Sequence, residues 1–165
     1  MLGGWSKKPR GGADTPLVAA VRAELAGADE ETVRIVSAIA GLLGQIAYAD
    51  HRFTEPEEVR IRLELGRIQG LTAPGVDAIC RVLRRHIVEV AAVESPWYAR
   101  ALRDLADREL RLQVLDLLVE VAAADDEICL AETNVLRHAV GALGLDQEDY
   151  NRAQARHRDK LRVLR

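Results

Sequence analysis

Aromatic side chains are scarce, at 4% of 165 residues, with a single Phe. Sheets draw on aromatic and β-branched side chains, whereas the apolar content here is mostly Ala, Leu, Val and Ile among many Arg and Glu, a mixture that predicts helices. No segment carries a convincing strand pattern. Cysteine is also rare. Cys80 and Cys129 cannot build a zinc centre alone, and both lie in apolar helical patterns, where a small reduced core thiol is the expectation. No run of 18 apolar residues occurs, so no membrane-spanning helix is expected. The first fourteen residues also lack the apolar stretch of a secretory signal, which points to the cytoplasm. Catalytic signatures are missing: there is no Gly-rich phosphate loop, no HExxH and no GxSxG. The histidines His51, His86, His138 and His157 are scattered, and no nucleophile, base and orienter can be assembled. A non-enzymatic chain without a small-molecule substrate is therefore the expectation. The net charge of −3 and pI near 5.8 give no global attraction to nucleic acid.

What is present is enough apolar material, 48% of residues, to fill one core. Residues 1–14, with Gly3, Gly4, Gly11 and Gly12, read as a flexible tail ahead of a single domain over 15–165. Thr15 with Pro16 opens a first helix by N-cap and first-position chemistry. From about Glu30 to Ala49 a wide stripe of Val33, Val36, Ile39, Ala40, Leu43, Ile46 and Ala47, widened by Ile35 and Leu42, predicts a central helix buried on more than one side. Thr54 and Glu57 form a capping box for a helix reaching about Gln69 before Gly70. Thr72 caps the next, with Val76, Ile79, Cys80, Leu83, Ile87 and Val90 opposite a basic face of Arg81, Arg84 and Arg85. Ser95-Pro96 reads as a fresh N-cap and first position, leading into a long helical stretch that ends near Ala124 and has room for a break at Ala106–Asp107. Two helices follow, over about Leu130–Leu143 and from Asp146 onwards. The expected architecture is all-α, a compact bundle of about seven helices with short connections and antiparallel neighbours.

The sequence also resembles itself. At an offset of 75 residues Ile35 falls on Leu110, Ile39 on Val114, Leu43 on Leu118 and Ile46 on Val121. Helical periodicity alone could match those core positions, but Ala49-Asp50 also falls on Ala124-Asp125, Glu57 on Glu132 and Gly66 on Gly141. Gly70-Leu71 pairs with Gly144-Leu145 after a shift of one. An internal duplication follows, with halves of about 30–72 and 105–146. The halves are expected to form similar helix-loop-helix units that meet in one core through Ile39, Leu43, Ile46 and Val114, Leu118, Val121.

Each half thus contains a helix ending in Ala-Asp, an apolar residue three positions later and a Glu seven positions after the Asp. The segments Ala47–Glu57 and Ala122–Glu132 resemble the Ala-Asp-Gly-x-(apolar)-x-x-x-Glu loops of the TerB-like family, whose domains occur in tellurite-resistance proteins and in a membrane-anchored co-chaperone. The resemblance spans about Glu30–Arg158. His51 and Asp126 stand where the family's Gly is usual, and both residue types tolerate the left-handed backbone that such a turn requires. The resemblance implies a helical binding or scaffold module, related to stress tolerance, and a possible acidic cation site.

Two readings of the loops stand side by side. In one, Asp50 and Asp125 accept hydrogen bonds from the N–H groups that follow and turn the chain, and Glu57 is a capping residue. In the other, Asp125 and Glu132, helped by Asp126 or Glu127, hold a hard divalent cation such as calcium or magnesium, with Asp50 and Glu57 as the weaker equivalent. In the first loop His51 could recruit a softer ion such as zinc with Asp50 and Glu57, a less expected cofactor because a lone loop His is usually solvated. The second loop is expected to be the better site because it is richer in carboxylates, and Glu132 has no hydroxyl partner at position 129. A rival class is a nucleic-acid or anionic-membrane adaptor, motivated by Arg152, Arg156, Arg158, Lys160 and Arg162 near the C-terminus, although cations also suit a helix C-terminus. The leading class keeps an unidentified protein as partner.

Overall fold

The computed structural model describes residues 15–124 and 128–163, with the side chains of the last helix described as far as Arg158. Among these residues the fold is helical throughout. The main helices are α1 (Pro16–Glu24), α2 (Glu30–Ala47), α3 (Glu55–Gly66) and α4 (Ala73–Arg85). A short α5 (Ile87–Glu89) runs into a π-helical turn over Val90–Glu94 and then α6 (Ser95–Leu105). The chain finishes with α7 (Arg108–Ala122), α8 (Leu130–Ala142) and α9 (Gln147–Val163). The expected tail over 1–14 lies outside the described residues.

Most helix starts follow from short polar side chains at the cap. Thr15, Asp29, Thr54, Thr72 and Asp107 each accept a hydrogen bond from the backbone N–H three residues on, satisfying a donor that the first turn leaves orphaned. Asp146 does the same for Asp149 N–H at 2.9 Å, and the Asp149 carboxylate returns a bond to Asp146 N–H at 3.0 Å. The reciprocal bonds and Arg108, 2.7 Å away, hold the Asp149 carboxyl below the usual carboxylate range.

Three boundaries differ from the sequence expectation. α3 ends at Gly66, earlier than Gln69, and turns through Arg67 and Ile68 before Gly70 takes φ 97°. The α4 stripe breaks at His86, although Ile87 and Val90 stay buried. Ser95 is not a cap: it is already helical, and its hydroxyl donates to Ala91 O at 3.0 Å. Pro96 has no N–H and its ring would crowd the carbonyl four residues back, so the wide π turn before it lets the chain continue instead of restarting.

The core forms around α2. Val33, Ala40, Leu42, Leu43, Ile46 and Ala47 are all buried, and α2 packs against α1, α3, α4, α6, α7 and α8. Each Leu or Ile so enclosed contributes about 1.5–3 kcal/mol relative to exposure. Glycine permits the closest approach: a Cβ on Gly41 would lie 2.3 Å from the Tyr98 ring of α6. Tyr98 is fixed there by donating to Glu94 at 2.5 Å, with its hydroxyl 3.0 Å from Thr15 Oγ1. Burial and the Glu94 carboxylate push its phenol well above the ordinary value.

Ile39, Leu43, Ile46, Val114, Leu118 and Val121 belong to one core cluster, and α2 packs on α7. Local geometry also recurs at the 75-residue offset: α2 ends at Ala47 and α7 at Ala122, and α3 begins at Glu55 and α8 at Leu130. The caps Thr54 (φ −78°, ψ 158°) and Cys129 (φ −76°, ψ 168°) have nearly the same backbone.

Candidate functional site

The two loops start alike. Beyond α2, Tyr48 N–H bonds to Gly44 O and Ala49 N–H to Ile46 O; beyond α7, Ala123 N–H bonds to Val119 O and Ala124 N–H to Val121 O. His51 then takes φ 62°, the left-handed conformation expected of the residue standing at the glycine position of the loop pattern. Its imidazole stands edge-on to Tyr48, with ring centroids 5.5 Å apart. Asp50 accepts from Arg52 N–H at 3.0 Å, the side-chain-to-backbone bond of an Asx turn. Asp125, Asp126 and Glu127 lie outside the described residues.

Both loops end in a glutamate that reaches back to the helix start. Glu57 accepts from Thr54 N–H at 3.0 Å, and Glu132 accepts from Cys129 N–H at 3.2 Å. Both are buried, at 1% and 4% exposure. Glu132 was expected to be the less engaged of the two because it lacks a hydroxyl partner, but the bond from the cap N–H needs no side chain at position 129, so loss of the hydroxyl does not release it.

The structure brings together a set that crosses the halves. Ligand atoms of Asp50, Cys129 and Glu132 lie within 4.8 Å of one another. Cys129 is accessible at the start of α8, not buried in the core as its apolar surroundings in the sequence suggested. A cap residue sits just outside the apolar periodicity, and its backbone has already left the helix. Cys80 fits the earlier expectation, being buried, with its thiol pushed up to about 11 chiefly by burial. Neither Glu57 nor His51 joins the described cluster.

Chemically the cluster offers two carboxylates and one thiol. A carboxylate presents about four lone-pair sites, so one hydrogen bond from Cys129 N–H does not remove Glu132 as a donor. A thiolate beside carboxylates shifts the preference from calcium or magnesium towards a borderline ion such as zinc. The residues present thus fit a divalent cation as a three-donor set.

Among the described residues, the basic C-terminal side chains do not form one open cationic face. Arg152 pairs with Glu148 at 2.5 Å and Arg156 with Asp116 at 2.6 Å, while Arg158 is exposed. The side chains of Lys160 and Arg162 lie outside the described residues. Between α3, α7 and α9 a cavity of about 110 Å³ is lined by Arg60, Glu64, Glu120 and His157. His157 Nδ1 is 3.8 Å from Glu120 and neither ring nitrogen has a hydrogen-bond partner. No described helix is long and apolar enough to cross a membrane.

No curated protein and no solved structure matches the chain. A family model does: that of tellurite resistance protein TerB matches residues 36–155, which include both loops, the Asp50, Cys129 and Glu132 cluster, and every helix from α3 to α8. With most of its length matched and its helices in place, the chain belongs to the TerB family.

Proposed function

We propose that this TerB-family chain is a non-enzymatic binding module whose two loops jointly hold a divalent cation and present the surface around it to a protein partner. The observation that carries this reading is the convergence of Asp50 from the first loop with Cys129 and Glu132 from the second, their donor atoms within 4.8 Å. A cation bridging them would tie the two halves together and fix the loop surface that a partner meets. A link to tellurite resistance follows the family's printed name. The adaptor alternative, through Arg152, Arg156, Arg158, Lys160 and Arg162, is weakened by the ion pairs of Arg152 and Arg156, which already offset part of that charge.

The test is titration of zinc, calcium and magnesium into isotope-labelled protein under reducing conditions. Saturable backbone shifts at Asp50, Cys129 and Glu132 are expected with zinc first, and should be lost together in Asp50→Asn. Absence of saturable shifts with millimolar ion would leave these side chains as turn and cap acceptors alone.

A further inference from the structure

A second surface is separate from the loops. A groove of about 220 Å³ runs between α6 and α8 over the second half of α2. Its floor is apolar and shallow-sided because the residues facing it are small: Ala99 on α6 and Ala139 and Ala142 on α8, with Leu42 beneath. Its rim is cationic. Arg100 and Arg103, three residues apart and therefore on one side of α6, stand opposite His138 of α8.

The rim arginines are among the described arginines that carry no ion pair. Arg22, Arg60, Arg62, Arg67, Arg84, Arg108, Arg152 and Arg156 all sit in ion pairs, whereas neither Arg100 nor Arg103 has a described carboxylate within pairing distance. A third cation reinforces them. Arg103 and Arg111 lie against the same turn: a Cβ on Gly144 would be 3.7 Å from Arg103 Nε and 3.0 Å from Arg111 Nη1, and Arg111 is engaged by the neutral Leu143 carbonyl. Asp104 is exposed on the same helix and has no ion pair among the described residues. The π-helical turn ends where the groove begins, since Ser95 and Pro96 line it directly after Glu94. π turns are costly interruptions that recur next to functional sites. Here the turn sets the direction in which Pro96, Ala99, Arg100 and Arg103 face the groove.

We infer that this groove binds a short acidic-apolar peptide segment of a partner protein, an aliphatic side chain seated on Leu42, Ala99 and Ala139 and an adjacent carboxylate held by Arg100 and Arg103. Charge complementarity selects the occupant. A basic segment would meet like charge at the rim and a neutral apolar one would leave the two exposed guanidinium groups to solvent, while a carboxylate matches their planar fork. The groove is too small for a folded helix face and suits one or two side chains. The inference does not depend on cation binding at the loops.

The experiment uses the full chain and a labelled hexapeptide alternating Leu and Asp, with a Leu and Lys counterpart, octanoate and inorganic phosphate as comparison probes. The acidic peptide should shift Ala99, Ala139 and Ala142 saturably. Arg100→Glu with Arg103→Glu should weaken it at least about tenfold, the cost of losing a charge-assisted hydrogen bond. Arg158→Glu, with the same change of charge away from the groove, should leave affinity within about twofold, as expected of a distant exposed charge. Asp50→Asn should leave binding intact, which separates this site from the loop cluster. Equal binding of the lysine peptide, an equal loss in Arg158→Glu, or saturation of the same residues by octanoate or phosphate with no added affinity from the peptide would each overturn the inference.

Discussion

α2 and α7 align at the 75-residue offset of the sequence and end in turns with matching hydrogen bonds, yet they live in different surroundings. At the 75-residue offset Gly41 corresponds to Asp116 and Gly44 to Val119. Gly41 faces the Tyr98 ring, and a Cβ on Gly44 would lie 3.0 Å from Leu83 and 3.2 Å from Ile87. Asp116, by contrast, is on the surface with Arg156, and Val119 fills an ordinary core position. One helix of the pair has side chains removed so that neighbours can crowd in from several directions. The other keeps a polar outer face. Matching sequence periodicity sets where a helix is buried, but its neighbours decide how many of its sides must be small.

The comparison breaks first at that glycine. Gly41→Ala should destabilise by about 1–3 kcal/mol, because the added methyl meets a ring fixed by two hydrogen bonds, whereas Asp116→Ala should cost less than about 1 kcal/mol for an exposed ion pair. Denaturant midpoints at constant slope measure both, and an equal cost would remove the distinction between central and peripheral helix. The caps come next. Thr54→Ala should lose about 1 kcal/mol, while Cys129→Thr, adding the hydroxyl that the second copy lacks, should gain up to about 1 kcal/mol. Two losses would mean that the thiol has a role the hydroxyl cannot replace.

His51→Gly should stabilise by no more than about 1 kcal/mol, relieving a left-handed side-chain-bearing residue at the expense of backbone entropy and the Tyr48 contact. Net destabilisation would show that the ring contact outweighs the backbone strain. The smallest effect is read as a slope. The Asp149 carboxyl is held below the ordinary aspartate value of 3.8 in the fold, so its contribution is present above about pH 4 and is lost as pH falls through the folded value. Arg108 is half exposed, which screens the pair. Asp149→Asn should therefore show a modest deficit at neutral pH that shrinks on acidification, and a deficit independent of pH would point to packing instead of charge.

The caps at Thr15, Thr54, Thr72 and Asp146 were legible because each is a local bargain between one side chain and one N–H three residues on. The central helix was legible from the width of its apolar stripe. Ser95-Pro96 misled because the same dipeptide that starts a helix can also follow a π turn, and only the packing of Tyr98 and Glu94 distinguishes the two. The loop cluster was half legible. Asp50 and Glu132 were candidates from the recurring Asp-to-Glu spacing and the family resemblance of the loops, but their meeting depends on how the two loops pack, and Cys129 was hidden by its apolar neighbours.

The crowding of α2 has a consequence for how the molecule opens. An amide exchanges with solvent only when its hydrogen bond is exposed, and in α2 that requires α1, α3, α4, α6, α7 and α8 to separate from it. Hydrogen exchange along Val36–Ile46 should therefore approach the rate set by global unfolding. α9 packs only against α7 and α8 among the principal contacts, so its amides should exchange through a smaller opening that leaves the rest of the bundle assembled.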